Sequence, residues 1–269
     1  MRVTHLLLTK YNSRISDDPA FRPGLEERWL GERLELFAKW PLPSIRRQSA
    51  PPDGWLLFLD ADTPTSHLQA LRELVGKDAE LVLSDERLSG ARIGEIINDR
   101  LPSESSVLLT TRLDSDDALA ASHLQRVQAN ANFRGFLNPA SGLQLVGERV
   151  LRSWDHSSPF LTRIEERAGD RPPMSVLAVE HRKAHTVAPV RQLGGPPAWL
   201  QVIHGGNRAN VACGIPWSRR RGAEAMGVAE LPALPVEDGA RLGLMRPVLH
   251  QLALAVHSRL PAQRQAVPS

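Results

Sequence analysis

With 269 residues, 42% of them hydrophobic and 23% charged, the chain has the composition of a globular protein long enough to bury a substantial core. A single cysteine, Cys213, excludes an internal disulfide framework and a Cys-rich zinc site. A net charge of +3, no apolar window near the roughly 18 residues of a membrane span and no signal-like start leave the cytoplasm as the expected setting, with no integral membrane segment.

Val3 to Thr9 is an apolar run suited to a buried first strand, followed by the polar stretch Lys10-Tyr11-Asn12-Ser13-Arg14. Ser16 to Gly24 reads as a turn-rich excursion. Trp29, Leu30, Arg33, Leu34, Leu36 and Phe37 recur at helical spacing within a helix expected over Glu26 to Lys39, which Pro41 and Pro43 stop. Ser44 to Gln48 reads as a short second strand. Trp55 to Leu59 is a clear strand running into Asp60-Ala61-Asp62. A helix then carries Leu68, Leu71, Leu74 and Val75, with Gly76 closing it. Glu80 to Ser84 gives another strand, Ser89 to Arg100 another helix with Ile93, Ile96 and Ile97 on one side, and Ser106 to Leu113 a further strand.

Strand and helix therefore alternate through about the first 130 residues, the signature of a parallel α/β sheet wrapped by helices. A helix from His123 to Ala131 follows. Beyond Phe133 short apolar segments (Gly142 to Val146, Val176 to Val179, Trp199 to Ile203) read as smaller mixed-sheet elements completing a site. Ser218 to Gly222, with three arginines, reads as a solvated loop; so few aromatics accompany it that nucleic acid is not an expected partner. Arg241 to Leu260 carries Leu242, Met245, Leu249, Leu252 and Val256 in helical register and reads as a docking helix.

The strand Ser106 to Leu113 ends in Asp114-Ser115-Asp116-Asp117, at the strand end where α/β sheets bind ligands. Two carboxylates at i and i+2 can share a hard divalent cation, which can in turn hold a diphosphate. A chain with 14 aspartates supplies roughly one Asp-x-Asp pair by chance, so position must separate the two present. Asp60/Asp62 precede a helix start and read as cap and dipole partners. Asp114/Asp116 follow a complete nucleotide-binding half. Among the histidines, His204 stands apart, because it ends the strand Trp199 to Ile203 and precedes Gly205-Gly206-Asn207, where backbone can approach a ligand. Ser157 to Glu166 opens like a helix start. Glu165 there is either a general base or, as the spacing favours, the partner of Thr162 in a capping box.

These residues resemble the family named "putative rhamnosyltransferase", within the wider GT-A-type glycosyltransferases. The resemblance rests on Thr110 to Leu119, on His5 to Asn12, Pro43 to Gln48 and Trp55 to Pro64, and on Pro159 to Glu165 and Trp199 to Asn207. In order and spacing these cover about residues 3 to 212. The resemblance implies a GT-A-like (Rossmann-like) α/β fold, a mixed sheet flanked by helices, in one domain over residues 1–222. Residues 223–269 would form a carboxyl-terminal helical extension. It implies a nucleotide-diphosphate sugar donor contacted by Thr9, Asn12, Arg112 and Asp114, and a divalent cation, Mn²⁺ or Mg²⁺, held by Asp114, Asp116 and His204. Glu165 matches the place of the catalytic base of inverting members. Arg163 stands where the family pattern expects an apolar residue, and the chain beyond Gly222 matches nothing in it.

The function so implied is metal-dependent transfer of a sugar, rhamnose by the family label, to an acceptor hydroxyl on a glycan or small molecule, with inversion. Two alternatives stand beside it. A sugar-phosphate nucleotidyltransferase would want a glycine-rich phosphate loop after the first strand, and Lys10 to Arg14 has no glycine. A non-catalytic carbohydrate- or protein-binding module would keep the scaffold alone.

Overall fold

A computed structural model of the chain describes residues 2–18, 20–167, 169, 171–205 and 212–233. The first half alternates as expected: β1 (Arg2–Lys10), α1 (Glu27–Lys39), α2 (Pro41–Arg46), β2 (Gly54–Asp60), α3 (Thr65–Val75), β3 (Glu80–Ser84), α4 (Gly90–Asn98) and β4 (Ser105–Arg112). Shorter pieces follow: β5 (Ala118–Leu119), α5 (His123–Gln128), β6 (Gly135–Pro139), β7 (Ser141–Val146), β8 (Arg149–Trp154) and β9 (Thr162–Glu166). The last are β10 (Val190–Leu193), β11 (Trp199–Ile203), β12 (Ile215–Trp217) and α6 (Arg219–Met226).

The main sheet has seven strands in the order β10-β6-β9-β4-β1-β2-β3. β4, β1, β2 and β3 run parallel, whereas β9 pairs antiparallel with both β4 and β6, so the sheet is mixed. Both faces of β1, β2 and β4 are covered, which explains their apolar runs, whereas β3 is the sheet edge. Leu7, Leu57 and Leu59 pack toward α1 and α3, while Leu6, Leu8, Leu56 and Phe58 pack toward α4 and the segment around Val176. A second sheet, β12-β8-β7-β11-β5, closes over the first.

Four local expectations change, the first being that Val176 to Ala178 is a single 3-10 turn and not a sheet element. Ser44 to Gln48 is not a strand, because the chain re-enters a helix at Pro41, whose missing N–H and fixed φ suit a first helical position. Thr162 to Glu166 is a strand and not a capped helix, held between β4 and β6. The arginines 219–221 form the first turns of α6 and not a loop.

The boundary expected after Gly222 falls inside α6, whose Ala223 and Met226, with Leu231, are buried against Leu143, Val150 and Leu200 of the second sheet. The docking helix expected over 241–260 lies outside the described residues. Among the described residues no helix is long and apolar enough to cross a membrane.

Candidate functional site

The strand order makes the site. From β1 the chain moves outward to β2 and β3, then returns to place β4 on the other side of β1. Connections leaving β1 and β4 diverge, and a crevice opens at their carboxyl ends, the switch point where open α/β sheets take ligands. The register sets Lys10 of β1 beside Phe58 of β2, and Leu8 beside Arg112 of β4. The loops after these strands and the second sheet enclose a cavity of about 650 Å³.

Asp114, Asp116 and Asp117 leave the β4 end in three directions. Asp114 forms a fork with Arg112, Nε to Oδ1 at 2.9 Å and Nη2 to Oδ2 at 2.9 Å. That carboxylate is the leading reason the Arg112 pKa lies above its ordinary value. Asp117 turns away from the cavity and accepts the Val202 N–H at 2.8 Å. Burial, with Asp116 and Asp114 nearby, pushes its pKa well up. By gripping β11 one residue before its last, Asp117 brings the chain after Ile203 back to the acidic turn.

His204 arrives there. Its Nε2 lies 3.1 Å from Asp116 Oδ2, and Arg33 Nη1 meets the same oxygen at 2.8 Å. Burial opposes ionisation of Asp116, but the His204 hydrogen bond and the Arg33 charge outweigh it and hold its pKa below the ordinary carboxylate value. Asp116 is thus an anion in a nearly dry position, paired on both sides.

The expected donor contacts divide. Asn12, Arg112 and Asp114 line the cavity. Asn12 donates to Thr63 Oγ1 at 2.9 Å and to the Gly24 carbonyl at 3.1 Å, and its Oδ1 is buried with no hydrogen-bond partner. Thr9 is a correction: strand alternation points it into the core, where it accepts the Trp55 indole N–H at 3.0 Å. Glu165 is a second correction. Pairing opposite Leu108 sets it four residues back from the β4 end, and its carboxylate accepts the Met174 and Ser175 N–H groups, both at 3.0 Å. It buttresses a turn and does not line the cavity. Asp60 and Asp62 cap nothing either. Helix α3 starts after Pro64 with no side-chain cap, and Arg14 and Arg22 both clamp the two acids at the cavity wall.

Several cavity residues escaped sequence reasoning. Arg33 carried a signal, a guanidinium in the apolar register of an amphipathic helix. Asp155 carried little beyond its place after β8. The cavity carboxylates are Asp60, Asp114, Asp116 and Asp155, and among the described residues only Asp155 has no arginine partner. Its Oδ1 accepts the Ser157 N–H at 2.8 Å, which fixes its direction. Nearby His181 is held below its usual pKa by burial and by Arg112, with Asp155 pulling the other way. Gln144 and Gln201 of the second sheet, with Cys213 from the loop before β12, form the neutral wall.

Asp116 and His204 offer one hard oxygen and one imidazole nitrogen at a shared point, a donor set that fits a divalent cation completing its shell with water and phosphate oxygens. Asp114 does not join them, since both its oxygens face Arg112. Among the described residues no three His, Cys, Asp or Glu side chains converge as a ready-made cage.

Residues 20–143, just under half of the chain, match the sequence profile of a family described as "Putative rhamnosyl transferase", as the sequence resemblance led one to expect. No curated protein matches the chain. Among solved structures, S. aureus TarS in complex with UDP-GlcNAc aligns with 84% of this chain and 64% of its own, at 14% identity and a TM-score of 0.38. The chain thus spans less than two thirds of that TarS chain. Rv0371C of Mycobacterium tuberculosis in complex with manganese aligns at 14% identity and a TM-score of 0.36, over 74% of this chain and 88% of its own. The inositol-1-phosphate CTP transferase of T. maritima aligns at 14% identity and 0.37, over 75% and 89%.

Proposed function

We propose, starting from the family match over residues 20–143, that the protein transfers a sugar from a nucleoside diphosphate donor to an acceptor hydroxyl. The observation that carries this reading is the meeting of Asp116 and His204 at 3.1 Å in an arginine-lined crevice at the switch point. The family description points to a rhamnosyl donor, and the cytoplasm is the setting in this reading.

Donor diphosphate enters among Arg33, Arg112 and Arg182, with the base directed toward Asn12 and the Asp60 end of β2. Arg182 has no side-chain partner among the described residues, so its charge is available to a phosphate oxygen. Asp114 orients Arg112 through its fork, a bidentate hold that keeps the guanidinium plane fixed. A Mn²⁺ or Mg²⁺ ion held by Asp116 and His204 would neutralise charge on the leaving diphosphate. Arg112 and Arg182 add fixed positive charge where that group departs.

Asp155, and not Glu165, takes the proton from the acceptor hydroxyl as it attacks. A guanidinium on a carboxylate lowers its basicity, and Asp155 is the cavity acid without one among the described residues. The acceptor hydroxyl approaches along the wall of Gln144 and Gln201, and attack with Asp155 as base goes with inversion at the anomeric carbon. Incubation with UDP-, GDP- and dTDP-sugars and Mn²⁺ should release the nucleoside diphosphate of one donor class. Release of pyrophosphate from a nucleoside triphosphate and a sugar phosphate would instead mark a nucleotidyltransferase and overturn the reading.

A further inference from the structure

The arginines of the cavity are not equally committed. Arg14 and Arg22 each reach both Asp60 and Asp62, and Arg112 holds Asp114 through two nitrogens. Arg33 touches Asp116 through Nη1 alone, at 2.8 Å, with a longer bond from the same nitrogen to Ser115 Oγ at 3.2 Å. Its Nε is buried and has no hydrogen-bond partner among the described residues. The side chain is 9% exposed, lines the cavity, and lies with its guanidinium carbon 4.6 Å from the Trp29 ring centroid. A flat cation on an indole face can slide within its plane without losing the stacking contact.

Arg33 therefore sits on the oxygen that the proposed cation needs. Asp116 Oδ2 also carries His204, and a guanidinium and a divalent cation cannot share one carboxylate oxygen without strong repulsion at such close range. We propose that Arg33 is an exchangeable counter-ion: it neutralises Asp116 while the cavity is empty and moves to the donor's diphosphate when a divalent cation takes Asp116 and His204. The exchange leaves no charge unpaired at either stage. The carboxylate trades a guanidinium for the metal, and the guanidinium trades a carboxylate for phosphate oxygens, which its fork also matches. Metal and donor consequently bind in a coupled manner, each more tightly once the other has arrived. This inference rests on the metal–diphosphate reading given above.

The test is Mn²⁺ binding, followed by electron paramagnetic resonance, to wild type, Arg33→Gln and Asp116→Asn, alone and with pyrophosphate. Removal of the internal competitor should make Mn²⁺ alone bind Arg33→Gln about tenfold more tightly than wild type, a typical coupling between competing ligands. The Mn²⁺–pyrophosphate complex should bind Arg33→Gln more weakly than wild type, and Asp116→Asn should lose both. Should the glutamine variant fail to fold, Arg33→Met keeps a long flexible side chain without the charge, and Mn²⁺ alone should again bind it more tightly than wild type. Equal or weaker binding of Mn²⁺ alone to the folded variant overturns the exchange. If wild type binds Mn²⁺–pyrophosphate while that result holds, only the exchange has failed. If no protein binds Mn²⁺ with or without pyrophosphate, the metal–diphosphate reading fails and the exchange with it.

Discussion

Whether a carboxylate can accept a proton depends on what already holds it, and the cavity acids differ mainly in that respect. Asp155→Asn keeps the acceptor oxygen for the Ser157 N–H but removes the base. It should lower kcat by about 10²–10⁴-fold with the donor KM unchanged, measured by nucleoside diphosphate release. Glu165→Gln should leave kcat within a few-fold of wild type, since its partners are two backbone N–H groups of a turn. His5 and His123 offer a test of stability. Burial, with His123 nearby, lowers His5 to about 3, and burial outweighs the bond to the Ala198 carbonyl to lower His123 to about 4. Unfolded histidine titrates near 6.5, so below that pH the unfolded chain binds protons that the folded chain refuses. The stability contributed by each neutral histidine is present above pH 6.5 and is lost as pH falls toward 4 and 3. Urea unfolding should show a slope that rises from near zero above pH 7 toward about 1.4 kcal/mol per pH unit for each histidine between pH 6 and 5, and His5→Gln should reduce it. Of the residues proposed for the site, Asp116 was legible because its acidic turn follows β4, and His204 because it follows β11. Thr9 and Glu165 were misplaced because motif position says nothing of which way a strand side chain points.

At the scale of elements, the junction between the two sheets depends on Gly142 at the start of β7. A β-carbon there would collide with the indole of Trp199, which itself stacks on Phe160 at 4.8 Å and donates to the Pro139 carbonyl at 2.7 Å. The ring is fixed on both faces and at its N–H, so it has nowhere to retreat. Gly142→Ala should destabilise the fold by about 1–3 kcal/mol, read from the urea midpoint. The parallel strands β1, β2 and β4 were legible in the sequence because burial on both faces writes them as continuous apolar runs, and β3 because Leu81-Val82-Leu83 is a short apolar run at the sheet edge. The short strands β6, β8, β10 and β12 were not, because pairing with distant partners defines them more than any local period. α2 was hidden by its prolines, which read as breakers although Pro41 starts a helix.

For the whole molecule, the main sheet supplies the crevice and the second sheet completes it. The family match ends at residue 143, whereas Asp155 and His204 come from later elements that fold back over the β4 end. The site is therefore assembled by tertiary closure, with Asp117 pinning β11 so that His204 meets Asp116. This is also why the sequence could bring Asp116 and His204 forward as a proposed metal pair by analogy of position but could not show Arg33 or Asp155 beside them. The most direct measurement of the central claim is calorimetric titration of UDP, GDP and dTDP into wild type and Asp116→Asn, with Mn²⁺ and with chelator. One nucleoside diphosphate should bind wild type with Mn²⁺, binding should weaken on chelation, and Asp116→Asn should lose the Mn²⁺ dependence. Binding of the nucleotide to Asp116→Asn with the same affinity and the same Mn²⁺ dependence would contradict it.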